Sequence, residues 1–162
     1  FKTTWWFVGL LNKQTRLTMW AFFVTAPLNI YMLETLEQIS KTVKDFSSQV
    51  QFNDWLMAVG KKADTSNSRE ICIDANYVRG CTSNVWITGT QKESKWYFNF
   101  YSNTMFTNGI VYILCNTISG KTVDQVNQVE YNDYNFLGTN LSLSKKQGLQ
   151  AMLNQIKNIA NA

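Results

Sequence analysis

The chain has 162 residues, enough for one domain with a modest core and an N-terminal appendage. Charged residues make up 16%, against about 25% in ordinary soluble domains. The net charge of +4 is scattered in isolated pairs such as Lys61–Lys62 and Lys145–Lys146, without the clustered basic face a nucleic-acid binder needs. No histidine occurs, which excludes Cys–His and Ser–His–Asp nucleophile systems and removes the commonest general base.

In chain order, residues 5–11 (WWFVGLL) form a first apolar run and residues 17–33 a second, separated by NKQTR. Seventeen helical residues span roughly 25 Å, against about 30 Å for a bilayer core. Residues 1–33 are therefore expected to be a membrane-associated, anchoring segment, either spanning the bilayer or packed against partner subunits. Lys2, Lys13 and Arg16 precede the second run, and Glu34 and Glu37 follow it. That asymmetry places the N-terminus in the cytoplasm and residues 34–162 outside it, as a single-pass protein with an extracytoplasmic domain in the periplasm or at the cell surface. Trp20, Phe22, Phe23 and Leu28 are the expected membrane or intersubunit contacts. The helix is expected to continue to residue 50. Leu33, Leu36, Ile39, Val43, Phe46 and Val50 recur at steps of three and four, a single helical stripe that must bury against something.

Residues 52–59 read as a short helix with Asn53 as cap and Gly60 as its end. Residues 60–70 are polar and loop-like. Residues 84–90 (NVWITGT), 95–101 (KWYFNFY) and 109–115 (GIVYILC) carry β-forming side chains and suggest a three-stranded antiparallel meander with a hairpin turn at TQKES. Residues 122–130 read as a short helix. The sequence from Leu143 to Ala160 reads as a C-terminal helix capped by Ser142 or Ser144, with Leu149, Leu153, Ile156 and Ile159 or Ala160 on its apolar face. The expected class is α+β: a long N-terminal helix, apolar then amphipathic, a small antiparallel sheet, and a C-terminal helix.

Three cysteines occur, at 72, 81 and 115. Outside the cytoplasm a disulfide between Cys72 and Cys81 is natural; pairing of either with Cys115, or three reduced thiols, remain alternatives. Three cysteines without histidine do not make a closed zinc site. SGKT at 119–122 lacks the first glycine of a P-loop and reads as a turn in which Thr122 caps a helix. Glu130, Asp133 and the asparagines around them lack the spacing of a calcium loop. No catalytic residue, cofactor site or metal site is assigned, and the chain reads as no enzyme.

A long helix, apolar then amphipathic, beginning at Phe1 and followed by a small sheet with a disulfide loop, resembles the type IV pilins and pseudopilins. The likeness is one of outline: Trp5 stands where that family has a glutamate, and Lys13 and Arg16 interrupt the apolar run. Inner-membrane scaffold subunits of secretion systems share the outline. The expected function is a structural subunit of a membrane-associated assembly, of pilus, secretion or conjugation type. Its partners would be the membrane and other subunits, including copies of itself. The alternative is a non-catalytic accessory subunit of a membrane-bound enzyme complex.

Overall fold

The computed structural model describes residues 35–63 and 66–162, leaving out the side chains of residues 66–68. Phe1–Leu33 is a unit separate from Glu34–Ala162. The expectations for Trp20, Phe22, Phe23, Leu28 and Leu33 therefore lie outside the described residues.

The first correction falls on the long helix. Helix α1 covers Leu36–Lys44 and stops at Asp45, and α2 begins afresh at Gln49 and runs to Lys62. Ser47 and Ser48 cause the break, because short hydroxyl side chains serve the backbone best at a helix start. The Ser48 hydroxyl accepts from Gln51 N–H, while the Gln51 side-chain oxygen accepts from both Ser47 N–H and its hydroxyl. Thr35 and Gln38 form a reciprocal capping box at the start of α1.

The stripe assigned to assembly is consumed inside the domain. Ile39 and Val43 are buried in the chain's own core, Leu36 and Phe46 pack against it, and the Phe46 ring meets Trp55 at a tilt with ring centroids 5.6 Å apart. Val50, beyond the break, is exposed. No helix among the described residues is long and apolar enough to cross a membrane.

The expected strand at 109–115 is the second correction. These residues lie in α3, Met105–Ile118. A run of consecutive apolar residues suits a strand buried on both faces and equally a helix buried all round. Here the helix is enclosed beyond its first turn: Ile110, Val111, Ile113, Leu114, Cys115 and Ile118 are all buried. α2 crosses α3 so closely that a Cβ at Gly109 would run into the Leu56 carbonyl oxygen. Asn108, also on α3, donates its amide to the carbonyls of Gly60 and Ala63 at 2.8 and 3.2 Å, satisfying the end of α2. Gly60 is thus a packing residue inside α2, and Ser48, rather than Asn53, caps that helix.

The hairpin falls where its sequence places it. Strands β1 (Val85–Lys92) and β2 (Lys95–Ser102) pair antiparallel from Val85↔Ser102 to Lys92↔Lys95. The two-residue turn Glu93–Ser94 has φ of 50° and 65°, the handedness that matches strand twist. Val85, Ile87, Phe98 and Phe100 face the core. Only two residues, Lys121–Thr122, form β3, which pairs with the start of β2. Two short helices follow, α4 (Val123–Gln128) and α5 (Asn135–Gly138), and then α6 spans Leu143–Ala160 after Ser142. α3 and α6 both pack on the one face of the sheet that carries Val85, Ile87, Phe98 and Phe100, with Leu149, Met152, Leu153 and Ile156 of α6 buried. The architecture is α+β with six helices and one three-stranded antiparallel sheet among the described residues.

Thr122 caps α4 through a complete capping box with Gln125. Thr122→Ala is expected to lower stability by about 1 kcal/mol, measurable as a shift in the urea midpoint with unchanged slope.

Candidate functional site

Glycine and local hydrogen bonds shape the segment before β1. Cys72 follows a 3-10 turn, Ser66–Ile71, and a second such turn covers Asp74–Asn76. The Asn76 side chain donates to the Ile71 carbonyl at 2.9 Å, and Asp74 pairs with Arg79 at 3.4 Å on the open surface. Val78 N–H then donates to the Val85 carbonyl at 2.8 Å, and Tyr77 bridges to Trp86. Residues 78–85 are therefore a loop closed at its base. Near its tip Gly80 has φ of 96°, a conformation that side chains other than glycine's disfavour.

Cys81 follows that glycine. The loop is tied on one side to the start of α3, where the Thr104 and Thr107 hydroxyls donate to the Ser83 hydroxyl at 3.2 and 3.0 Å. Asn84 N–H donates to the Asn103 side chain at 3.1 Å, and the Ser102 hydroxyl donates to the Asn84 carbonyl at 3.0 Å. On the other side the Cys81 thiol donates to the carbonyl oxygen of Gly148 on α6, 3.5 Å away. Lys145 lies over the Phe106 ring, 3.9 Å from its centroid, and joins the first turns of α6 and α3 beside the loop. Met105 and Leu143, in those same turns, are exposed apolar side chains.

All three cysteines are free thiols, so the disulfide expected between Cys72 and Cys81 is not formed. They differ in surroundings. Cys115 is 1% exposed inside α3, where burial pushes its thiol far up. Cys72 and Cys81 are half-buried. Burial pushes the Cys81 thiol up to about 11, from 9.0 for a free one. A half-buried, protonated thiol at the tip of a pinned loop is sheltered when idle and reachable by a docked partner. The reaction rate of Cys81 with iodoacetamide is therefore expected to climb by about tenfold per pH unit well beyond pH 9, where an exposed thiol levels off. The sign for stability is the opposite: the raised folded value favours the fold below about pH 9, and that contribution is lost as pH rises through about 11.

The remaining candidates do not gather. Asp133 accepts from Glu130 N–H at 2.8 Å in a local cap, and no group of His, Cys, Asp and Glu among the described residues could hold a metal ion. Sequence reasoning considered Cys81 as a disulfide partner or a reduced structural thiol. The signal on offer was a Gly80-Cys81 pair four residues before the start of β1, in a chain with no histidine.

Comparison with known proteins gives the family. Residues 37–160 match the model of the SufE family, described as an Fe-S metabolism associated domain. An uncharacterized SufE-like protein of Haemophilus influenzae is 27% identical over 108 residues, which cover 64% of this chain and 85% of that protein. The match overturns the expected structural subunit of a pilus-like or secretion assembly and the alternative accessory subunit of a membrane-bound enzyme complex. With them go the pilin likeness and the membrane as a partner. The single-pass placement is corrected too: residues 37–160 match this family, and no helix among the described residues is long and apolar enough to cross a membrane, while residues 17–33 lie outside them. The chain belongs to the SufE family.

Proposed function

We propose that this chain is a sulfur-transfer partner in iron–sulfur metabolism and that Cys81 carries the sulfur. The supporting observation is the half-buried Cys81 thiol at the tip of the loop pinned between α3 and α6, in a chain of this family. The donor is a cysteine desulfurase bearing a persulfide. The Cys81 thiolate attacks the outer sulfur of the donor's R–S–SH. The donor S–S bond breaks, the donor leaves as a thiol with the proton Cys81 gave up, and Cys81–S–SH forms. No external oxidant or reductant is needed, because the sulfane sulfur moves at its own oxidation level.

The site supplies shelter and approach rather than acid–base groups. Burial keeps the idle thiol protonated and slow toward oxidants. Exposed Met105 and Leu143 beside the loop offer apolar surface on which a partner can dock and desolvate the reacting sulfurs. On this reading the chain is a carrier consumed and regenerated in each transfer, with no turnover of its own. The test is to incubate the full chain with a cysteine desulfurase and cysteine, trap persulfides by alkylation, and map them by mass. One added sulfur on the peptide containing Cys81 is expected. Sulfur only on Cys72, or on no cysteine, overturns the assignment.

A further inference from the structure

The loop rests on α6 through two small positions. A Cβ at Gly148 would lie 3.5 Å from Cys81 Sγ, and a Cβ at Gly80 would lie 3.5 Å from that of Ala151. The Gly80–Cys81 turn is thus laid directly on the helix surface at positions 148 and 151. The polar atom that meets the thiol there is the Gly148 carbonyl oxygen. A carbonyl oxygen accepts hydrogen bonds and gives none. It suits a neutral S–H and repels an anion.

Loading changes the charge at this contact. A persulfide is a stronger acid than its parent thiol, because the terminal sulfur bears the charge beside a second polarisable sulfur. At neutral pH Cys81–S–SH loses its proton to water and becomes Cys81–S–S⁻. Its Sγ then has no proton to donate, and two electron-rich atoms face each other at 3.5 Å. Gly80, exposed and at φ of 96°, can absorb the backbone rotation that would relieve this.

We propose that the Gly148 carbonyl is a positioning group that tells the empty carrier from the loaded one: it seats Cys81 as a neutral thiol and expels the perthiolate, so the loop leaves α6 only when it carries sulfur. The proposal rests on Cys81 being the carrier. It explains how one short loop can be sheltered while empty and presented when it has sulfur to give.

Amide hydrogen exchange of residues 79–83 in the full chain tests it. Four samples are compared: untreated protein, protein loaded with glutathione persulfide, Cys81→Ser, which keeps a neutral donor, and Cys81→Asp, which fixes an anion. Exchange in the loop should match the untreated rate in Cys81→Ser and rise by about tenfold or more in the loaded protein and in Cys81→Asp. The amides of α2 and α3 should stay protected in all four, which separates loop release from unfolding. Loaded protein exchanging at the untreated rate overturns the proposal, as does Cys81→Asp exchanging like Cys81→Ser. If glutathione persulfide leaves no sulfur on Cys81, the carrier reading itself fails, and the Ser and Asp variants alone decide whether the carbonyl discriminates charge.

Discussion

Cys81→Ser is expected to lower sulfur acceptance by about a thousandfold or more, to the background of the assay, while leaving the fold intact. The reasoning separates the two duties of the side chain. Serine is nearly the size of cysteine and still donates to the Gly148 carbonyl, so the loop keeps its seat on α6. A hydroxyl oxygen, however, does not displace a thiolate from a disulfide-like bond, and no persulfide can form on it. The melting temperature should therefore stay within a few degrees of the parent. Cys72→Ser is the matched control, since Cys72 is also half-buried and lies in the same stretch before β1. It should retain acceptance close to the parent's. Desulfurase-dependent persulfide formation on each variant checks the pair, and the reverse pattern would move the carrier to Cys72. Cys115 is unsuited to either role: a serine there would bury a hydroxyl in the core, at a cost of about 1–3 kcal/mol.

Gly109→Ala is expected to be among the most damaging single-methyl changes in the described domain, at about 3–5 kcal/mol. α2 and α3 meet backbone to backbone. A Cβ at Gly109 would overlap the Leu56 carbonyl oxygen and lie 3.0 Å from Leu56 Cδ1, and a Cβ at Gly60 would meet the Met105 carbonyl oxygen. Neither carbonyl can step aside without moving its helix. Moving α3 also strains Asn108, whose amide holds the end of α2, and Thr104 and Thr107, which hold the Cys81 loop through Ser83. A domain of this size has about 5–15 kcal/mol in total, so the variant should be near its folding limit. Gly120→Ala separates close packing from backbone strain. Gly120 has φ of 82° with open space around its would-be Cβ, so the cost there should be about 1–2 kcal/mol. Urea unfolding of both variants checks the ranking. A Gly109→Ala cost below that of Gly120→Ala would mean that the helices can part freely and that the close crossing does not set the position of α3.

The elements legible in the sequence were those specified by neighbours along the chain. The β1–β2 hairpin follows from alternation and a short polar turn, and α4 follows from the Thr122–Gln125 box. α6 runs from Leu143 to Ala160 because its apolar residues keep helical spacing and Ser142 precedes them. The Ser47–Ser48 pair was legible too, as a start signal in mid-stripe, but the regular spacing of Leu36, Ile39, Val43 and Phe46 concealed it. Spacing fixes which residues share a face and says nothing about where the chain stops being one helix.

What depended on the tertiary structure was the partner of each apolar surface. Hydrophobic burial has no direction, so Ile39 and Val43 satisfy it equally against another subunit or against this chain's own core. The residues of α3 could enter a sheet or a central helix, and the glycine-to-glycine crossing with α2 decides for the helix. The sequence by itself determined the hairpin, the Thr122 cap, the absence of histidine chemistry and the presence of three thiols. Only the tertiary structure distinguishes the surroundings of the three thiols, because the shelter around Cys81 comes from Ser102, Thr104 and Thr107 on one side and Gly148 on the other. Those groups lie 18 to 67 positions along the chain from the residues they bind, as with Asn84 and Ser102 or Cys81 and Gly148, and no local pattern reports such a meeting.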